Sequence, residues 1–150
     1  MMGKKAVVPY TIGYQGRSLP ALVRTLKDHG VERLVDVRLT PHSRQRGFSV
    51  MSLFEGLRRA GINYEHVKDL GNPPEIRDRF FAGDLVGGRA AYRQLLTNGH
   101  SHAVEHLISL ARIQPTAILC RESDVKECHR AVVAEVAAER APFTLKVEHL

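Results

Sequence analysis

The chain has no tryptophan, two cysteines, and an aromatic content of only 6%. So few aromatics, with no recognisable reading helix, argue against base-specific recognition of nucleic acid. Two cysteines are too few for a disulfide-stapled secreted scaffold. No apolar run approaches the ~18 residues of a spanning helix, and no secretory signal pattern opens the chain, so no membrane partner is expected and a cytoplasmic location is. Blocks of like charge, low-complexity tracts and internal repeats are also missing, which removes the disordered basic tail and the solenoid.

What is present is positive charge. The formal net charge is +6 with a pI near 9.7, and most of the basic residues are arginine rather than lysine. Guanidinium groups form paired hydrogen bonds to phosphate and carboxylate, so the balance favours an anionic partner, either a small molecule or nucleic acid. A chain of 150 residues is expected to be one domain, 1–150, burying roughly 70% of its unfolded surface.

Strand and helix patterns alternate. "AVVPYTIG" (6–13) reads as a strand. "SLPALVRTLKDHG" reads as a helix capped by Ser18 and closed by Gly30, with Leu19, Leu22, Val23 and Leu26 on one stripe. "VERLVDVR" (31–38) is a strand apolar enough to be buried on both faces. After the loop "LTPHSRQRGF", Val50, Leu53, Phe54 and Leu57 line a helix opened by Ser49 and ended by Gly61, and "INYEHV" (62–67) is the third strand. "KDLGNPPEIRDRFFAGDLVGG", with Pro73-Pro74 and four glycines, reads as a long irregular surface excursion suited to covering a site. A helical pattern from Arg89 to Arg112, interrupted at Asn98-Gly99, leads to the strand "TAILC" (116–120), then a helix and a last strand, "TLKVEHL". The expected fold is a single α/β domain: a mostly parallel sheet of about five strands with helices on both faces.

In such sheets ligands bind beyond the carboxyl ends of the strands. Those ends carry Gly13, Arg17, Asp36, Arg38, Tyr64, His66, Cys120 and Glu122. Gly13 and Gly16 either permit a plain turn or open a backbone cradle for phosphate. Asp36 and Arg38, two apart on a strand, share a face and form either a buried ion pair or a clamp whose spare donors meet a ligand. Ser43, Arg44 and Arg46 leave the same strand end as Arg38 and are either a solvated loop or further phosphate contacts.

"LCRESDVKECHR" (119–130) holds both cysteines. Asp124 and Glu127 predict a capping box for the following helix. Cys128, in register with Val132 and Val136, faces the sheet as a small hydrophobe, or is a thiol activated by the helix terminus and by His129 or Arg130, against the opposing charges of Glu122, Asp124 and Glu127. A strand-Cys-loop-helix order is shared with cysteine phosphatases and sulfurtransferases, yet Lys126 stands where the phosphatase arginine would, and the loop carries two acids. No metal is assigned, because neighbours on a helix point about 100° apart and Cys128 and His129 do not readily share an ion. A Cys120–Cys128 disulfide is a redox alternative in a reducing compartment.

"TIGYQGRS", "DVR" followed by "PHSR" and Phe48, "YEHVKDLG", and "LCRE" followed by "CHR" resemble, in order, the motifs of the bacterial and archaeal domain-of-unknown-function family 488. The resemblance covers nearly the whole chain. It implies a compact α/β domain and maps motif residues onto Arg17, Asp36, Arg38, Ser43, Arg44, Tyr64, Glu122, Cys128, His129 and Arg130, without implying a reaction or a cofactor. The commoner family pattern has histidine and serine or asparagine where this chain has Tyr14 and Gln15, and often glycine at Asn72. The leading expectation is an arginine-lined anion site at the strand ends, with Glu122 as acid or base assisted by Cys128 or His129. The alternatives are a non-catalytic nucleic-acid-binding module using Arg44, Arg46, Arg58 and Arg59, and a protein-interaction module. Oligomeric state is not read from the sequence.

Overall fold

The computed structural model describes residues 7–124 and 128–150. Five parallel strands form one sheet: β1 (Tyr10–Gly13), β2 (Arg33–Asp36), β3 (Asn63–His66), β4 (Thr116–Cys120) and β5 (Glu148–His149), in the order β3-β2-β4-β1-β5. Helices α1 (Leu19–Asp28) and α2 (Val50–Arg59) cross one face. The return from β3 to β4 runs through α3 (Pro74–Phe81), α4 (Leu85–Gln94), a wide turn at Leu95–Gly99 and α5 (Ser101–Ile113), and α6 (Arg130–Arg140) follows β4.

The two-residue period of the strands sorts the core into two layers. Ile12, Leu34, Ala117 and Leu119 meet Leu22 and Leu26 of α1 and Leu53 and Leu57 of α2. Val35, Val37, Ile118 and Cys120 meet Tyr92, Leu96, Leu107, Val132 and Val136 on the opposite face. Both faces of β2 and β4 are therefore covered, as a parallel sheet requires. Ser18 caps α1 by accepting from the Ala21 N–H at 3.2 Å, and Ser49 caps α2 through the Ser52 N–H at 3.4 Å.

Three expectations are corrected. The segment read as an irregular excursion contains α3 and the first turn of α4. Pro74 stands in the first turn of α3, where its missing N–H has no helical partner to lose. Gly88 admits α4 against α3: a Cβ there would come within 2.9 Å of the Phe80 ring. The helix after β4 begins at Arg130 with His129 at its cap position, not after Asp124, and Glu127 of the expected capping box lies outside the described residues. The end strands are shorter than read. Beyond β1 and β5 a single bridge joins Val7 to Leu145.

Candidate functional site

Strand β4 lies between β1 and β2, and the chain leaves β1 and β2 toward one face of the sheet but leaves β4 toward the other. This divergence opens a crevice at the carboxyl end of β4, the place where open α/β sheets bind ligands. It holds a cavity of about 280 Å³. Tyr14 after β1, Arg38 after β2 and Cys120, Arg121 and Glu122 around the end of β4 form its base and sides, His129 reaches it from the cap of α6, and Arg77 and Phe81 reach it from α3.

On the β2 side every strong group is engaged. Asp36 is fully buried and accepts from the Arg38 backbone N–H at 3.0 Å, from Arg38 Nε at 2.9 Å and Nη2 at 2.6 Å, and from the Tyr64 hydroxyl at 2.6 Å. Arg38 Nη1 donates to the Phe48 carbonyl at 2.7 Å, and its guanidinium lies 5.3 Å from the Tyr14 ring centroid, itself stacked on Phe48. Burial works against the Arg38 charge, but the hydrogen bonds and charge of Asp36 outweigh it and hold the pKa above its ordinary value. Tyr64 is also raised, first by burial and then by donating to Asp36. Of the two sequence readings, Asp36–Arg38 is thus a buried ion pair, with Arg38 showing 6% of its surface, at the cavity wall.

On the β4 side the groups are softer. Cys120 and Cys128, each 1% exposed, are joined by a disulfide, so Cys128 is not a free thiol in this state. Arg130, also 1% exposed, threads beneath β1 and β4: Nε donates to Thr11 Oγ1 at 3.2 Å, Nη1 to Cys120 Sγ at 3.1 Å and to the Glu122 carbonyl, and Nη2 to the Ser123 carbonyl at 3.2 Å. Gly13 makes that passage possible. A Cβ on Gly13 would stand 1.8 Å from the Glu122 carbonyl oxygen and 2.6 Å from Arg130 Nη1. His129 packs edge-on against Tyr92, and its Nε2 is 3.0 Å from the Val37 carbonyl. Burial lowers its pKa to about 4 despite that hydrogen bond, so the ring is neutral at neutral pH. A carbonyl only accepts, so Nε2 carries the proton and Nδ1, 3.8 Å from Cys128 Sγ, is left as the acceptor. Cys120, Glu122 and Cys128 also form a group of potential metal donors with ligand atoms within 4.8 Å of one another. Thiolate ligation there requires the disulfide to be reduced.

The cavity gathers Arg38, Cys120, Glu122 and His129 from the residues singled out by sequence, with Asp36, Cys128 and Arg130 just behind it. The others lie elsewhere. Arg17 donates to the Gly13 carbonyl at 3.0 Å and lines a separate surface hollow with Gln45 and Arg46. Tyr64 lines a third depression, Ser43 accepts from the Gln45 N–H within its own loop, and Arg44 is exposed outside the cavity lining. Among the cavity residues missed by sequence are Arg77, Arg121 and Asn72. Arg77 fell in the segment read as irregular. Arg121 directly follows a strand end and had the same positional signal as Glu122. Asn72 is 8% exposed, and its buried amide oxygen meets no hydrogen-bond donor among the described residues.

Residues 18–137 match the family model described as Domain of unknown function DUF488. The chain belongs to that family. The match takes in the DUF488 chain's Asp36–Arg38 pair, Asn72, both cysteines, His129 and Arg130, and begins after Gly13 and Arg17. No curated protein and no solved structure matches the chain.

Proposed function

We propose that the cavity at the end of β4 binds a small anionic ligand, a phosphorylated molecule of mononucleotide type that also carries hydrogen-bond donors. The observation that carries this reading is the pair of arginines on the cavity wall that no carboxylate of the described residues engages. Asn72 lines the same wall, and its buried amide oxygen has no hydrogen-bond partner among the described residues, where buried polar atoms are nearly always paired. Arg77 and Arg121, both exposed on the cavity wall, supply the charge for a phosphate, whereas Arg38 is already neutralised by Asp36. Glu122, half-buried at the same wall, is the group placed for proton transfer to such a ligand. The anion is thus held by arginines other than those the sequence suggested. For the nucleic-acid alternative, two of its four arginines, Arg58 and Arg59, both hydrogen-bond to Glu55, which reduces the free positive charge of that surface.

The test is a thermal melt with adenosine monophosphate, with inorganic phosphate and with adenosine. A ligand at a hundred times its Kd stabilises the native state by about 2.7 kcal/mol. The melting temperature should rise with the nucleotide, less with phosphate, and not with adenosine, and Arg121→Ala with Arg77→Ala should abolish the rise. An absent rise, or one unchanged in the double variant, overturns the reading.

A further inference from the structure

The cavity reading leaves the two sulfurs unused, although their surroundings are specific. Cys120 contributes to the cavity wall and Cys128 lies behind it, so a molecule in the cavity meets Cys120 first. Arg130 Nη1 points at Cys120 Sγ from 3.1 Å, and the Arg130 backbone N–H points at Cys128 Sγ from 3.4 Å. Donors so placed favour negative charge on either sulfur when the bond between them opens. Burial lowers the pKa of Arg130, but a guanidinium remains charged in a protein. The unprotonated Nδ1 of His129 faces Cys128, not Cys120. One sulfur is therefore provided with a cation and an opening, the other with a base.

We propose that Cys120 and Cys128 form a two-electron thiol–disulfide couple that exchanges with low-molecular-weight disulfides entering through the cavity. In the reduced chain the Cys120 thiolate attacks one sulfur of the incoming disulfide, forming a mixed disulfide on Cys120 and expelling the first small thiolate. Cys128 then gives its proton to His129 Nδ1 and attacks Cys120 Sγ, closing the internal disulfide and expelling the second thiolate, which takes the proton back from the imidazolium. The small disulfide gains two electrons and becomes two thiols. The chain loses two electrons, and a small dithiol returns them. This inference uses the cavity as a route but not its anion binding.

The experiment uses the full chain, reduced with dithiothreitol and desalted, and 2-hydroxyethyl disulfide, an uncharged probe. Iodoacetamide should label two cysteines before the probe and none after it, with two small thiols released per chain. Cys128→Ser should stop at a mixed disulfide on Cys120, visible by mass, and Cys120→Ser should form no internal disulfide. His129→Gln should leave capture on Cys120 intact and slow closure of the internal disulfide on the order of a hundredfold. The proposal is overturned if the reduced chain keeps both thiols labelable after the probe, if a folded Cys128→Ser chain forms no adduct, or if added zinc masks both thiols at one ion per chain. Because the probe carries no charge, failure of nucleotide binding leaves this test standing, and failure of exchange leaves the nucleotide melt standing.

Discussion

Two arginines lie buried on either side of the same crevice, and they are held in opposite ways. Arg38 is clamped by a fully buried carboxylate, which also accepts from Tyr64, so its charge is cancelled where it sits. Arg130 meets two carbonyls, a hydroxyl and a sulfur, and among the described residues no carboxylate stands within ion-pair distance of it. Removing a guanidinium from water is costly in both cases. The β2 side recovers that cost within the fold. On the β4 side the guanidinium lies against Cys120 Sγ, and the charges of Glu122 and Asp124 favour it without a direct ion pair among the described residues.

The contrast is broken most directly by Asp36→Ala. With its carboxylate gone, Arg38 is left as an uncompensated buried charge, and the loss in unfolding free energy should be about 3–5 kcal/mol, read by denaturant titration. A loss below about 1 kcal/mol would show that the pair is not what anchors the β2 side.

The next effect belongs to the β4 side and depends on pH. His129 has its pKa lowered to about 4 in the folded chain against 6.5 when free. The unfolded chain therefore binds the proton more readily between those values. The stabilisation is complete above about pH 6.5 and is lost as pH falls toward 4, amounting to about 3 kcal/mol over the window. Stability measured across that range should fall more steeply for the native chain than for His129→Gln, and equal slopes would remove His129 as the titrating group.

The smallest change sharpens the comparison. Tyr64→Phe deletes one hydrogen bond to Asp36 while leaving the ion pair, and should cost about 1.5 kcal/mol by the same titration. A much larger loss would mean that Tyr64, not Arg38, is the principal partner of the carboxylate.

The architecture was legible because alternating elements and doubly apolar strands leave few ways to build a parallel sheet, and Leu34, Val35 and Val37 do divide between its two faces. What misled was local chemistry read without its context. Pro73-Pro74 and the glycines after them looked like chain breakers, yet one proline starts α3 and Gly88 seats α4 against Phe80. The site was legible as a place more than as a set of residues. Arg17 and Tyr64 have the right residue type at the right strand ends, but they turn back onto the Gly13 carbonyl and onto Asp36. No periodicity reports where a side chain turns. Asn72 and Arg77 could not be placed at the cavity until α3 had a position. The cysteines were visible from the start, and only folding shows that eight positions of separation bring their sulfurs together.

Gln45 ties together two loops at the carboxyl rim of the sheet. Its side-chain amide donates to the Tyr14 carbonyl at 3.0 Å and to the Arg17 carbonyl at 2.6 Å, so a residue of the loop after β2 fastens the loop after β1. Two segments far apart in the chain then share one fastening, and neither gains freedom alone. Loosening that amide would undo both attachments at once, because one side chain supplies them.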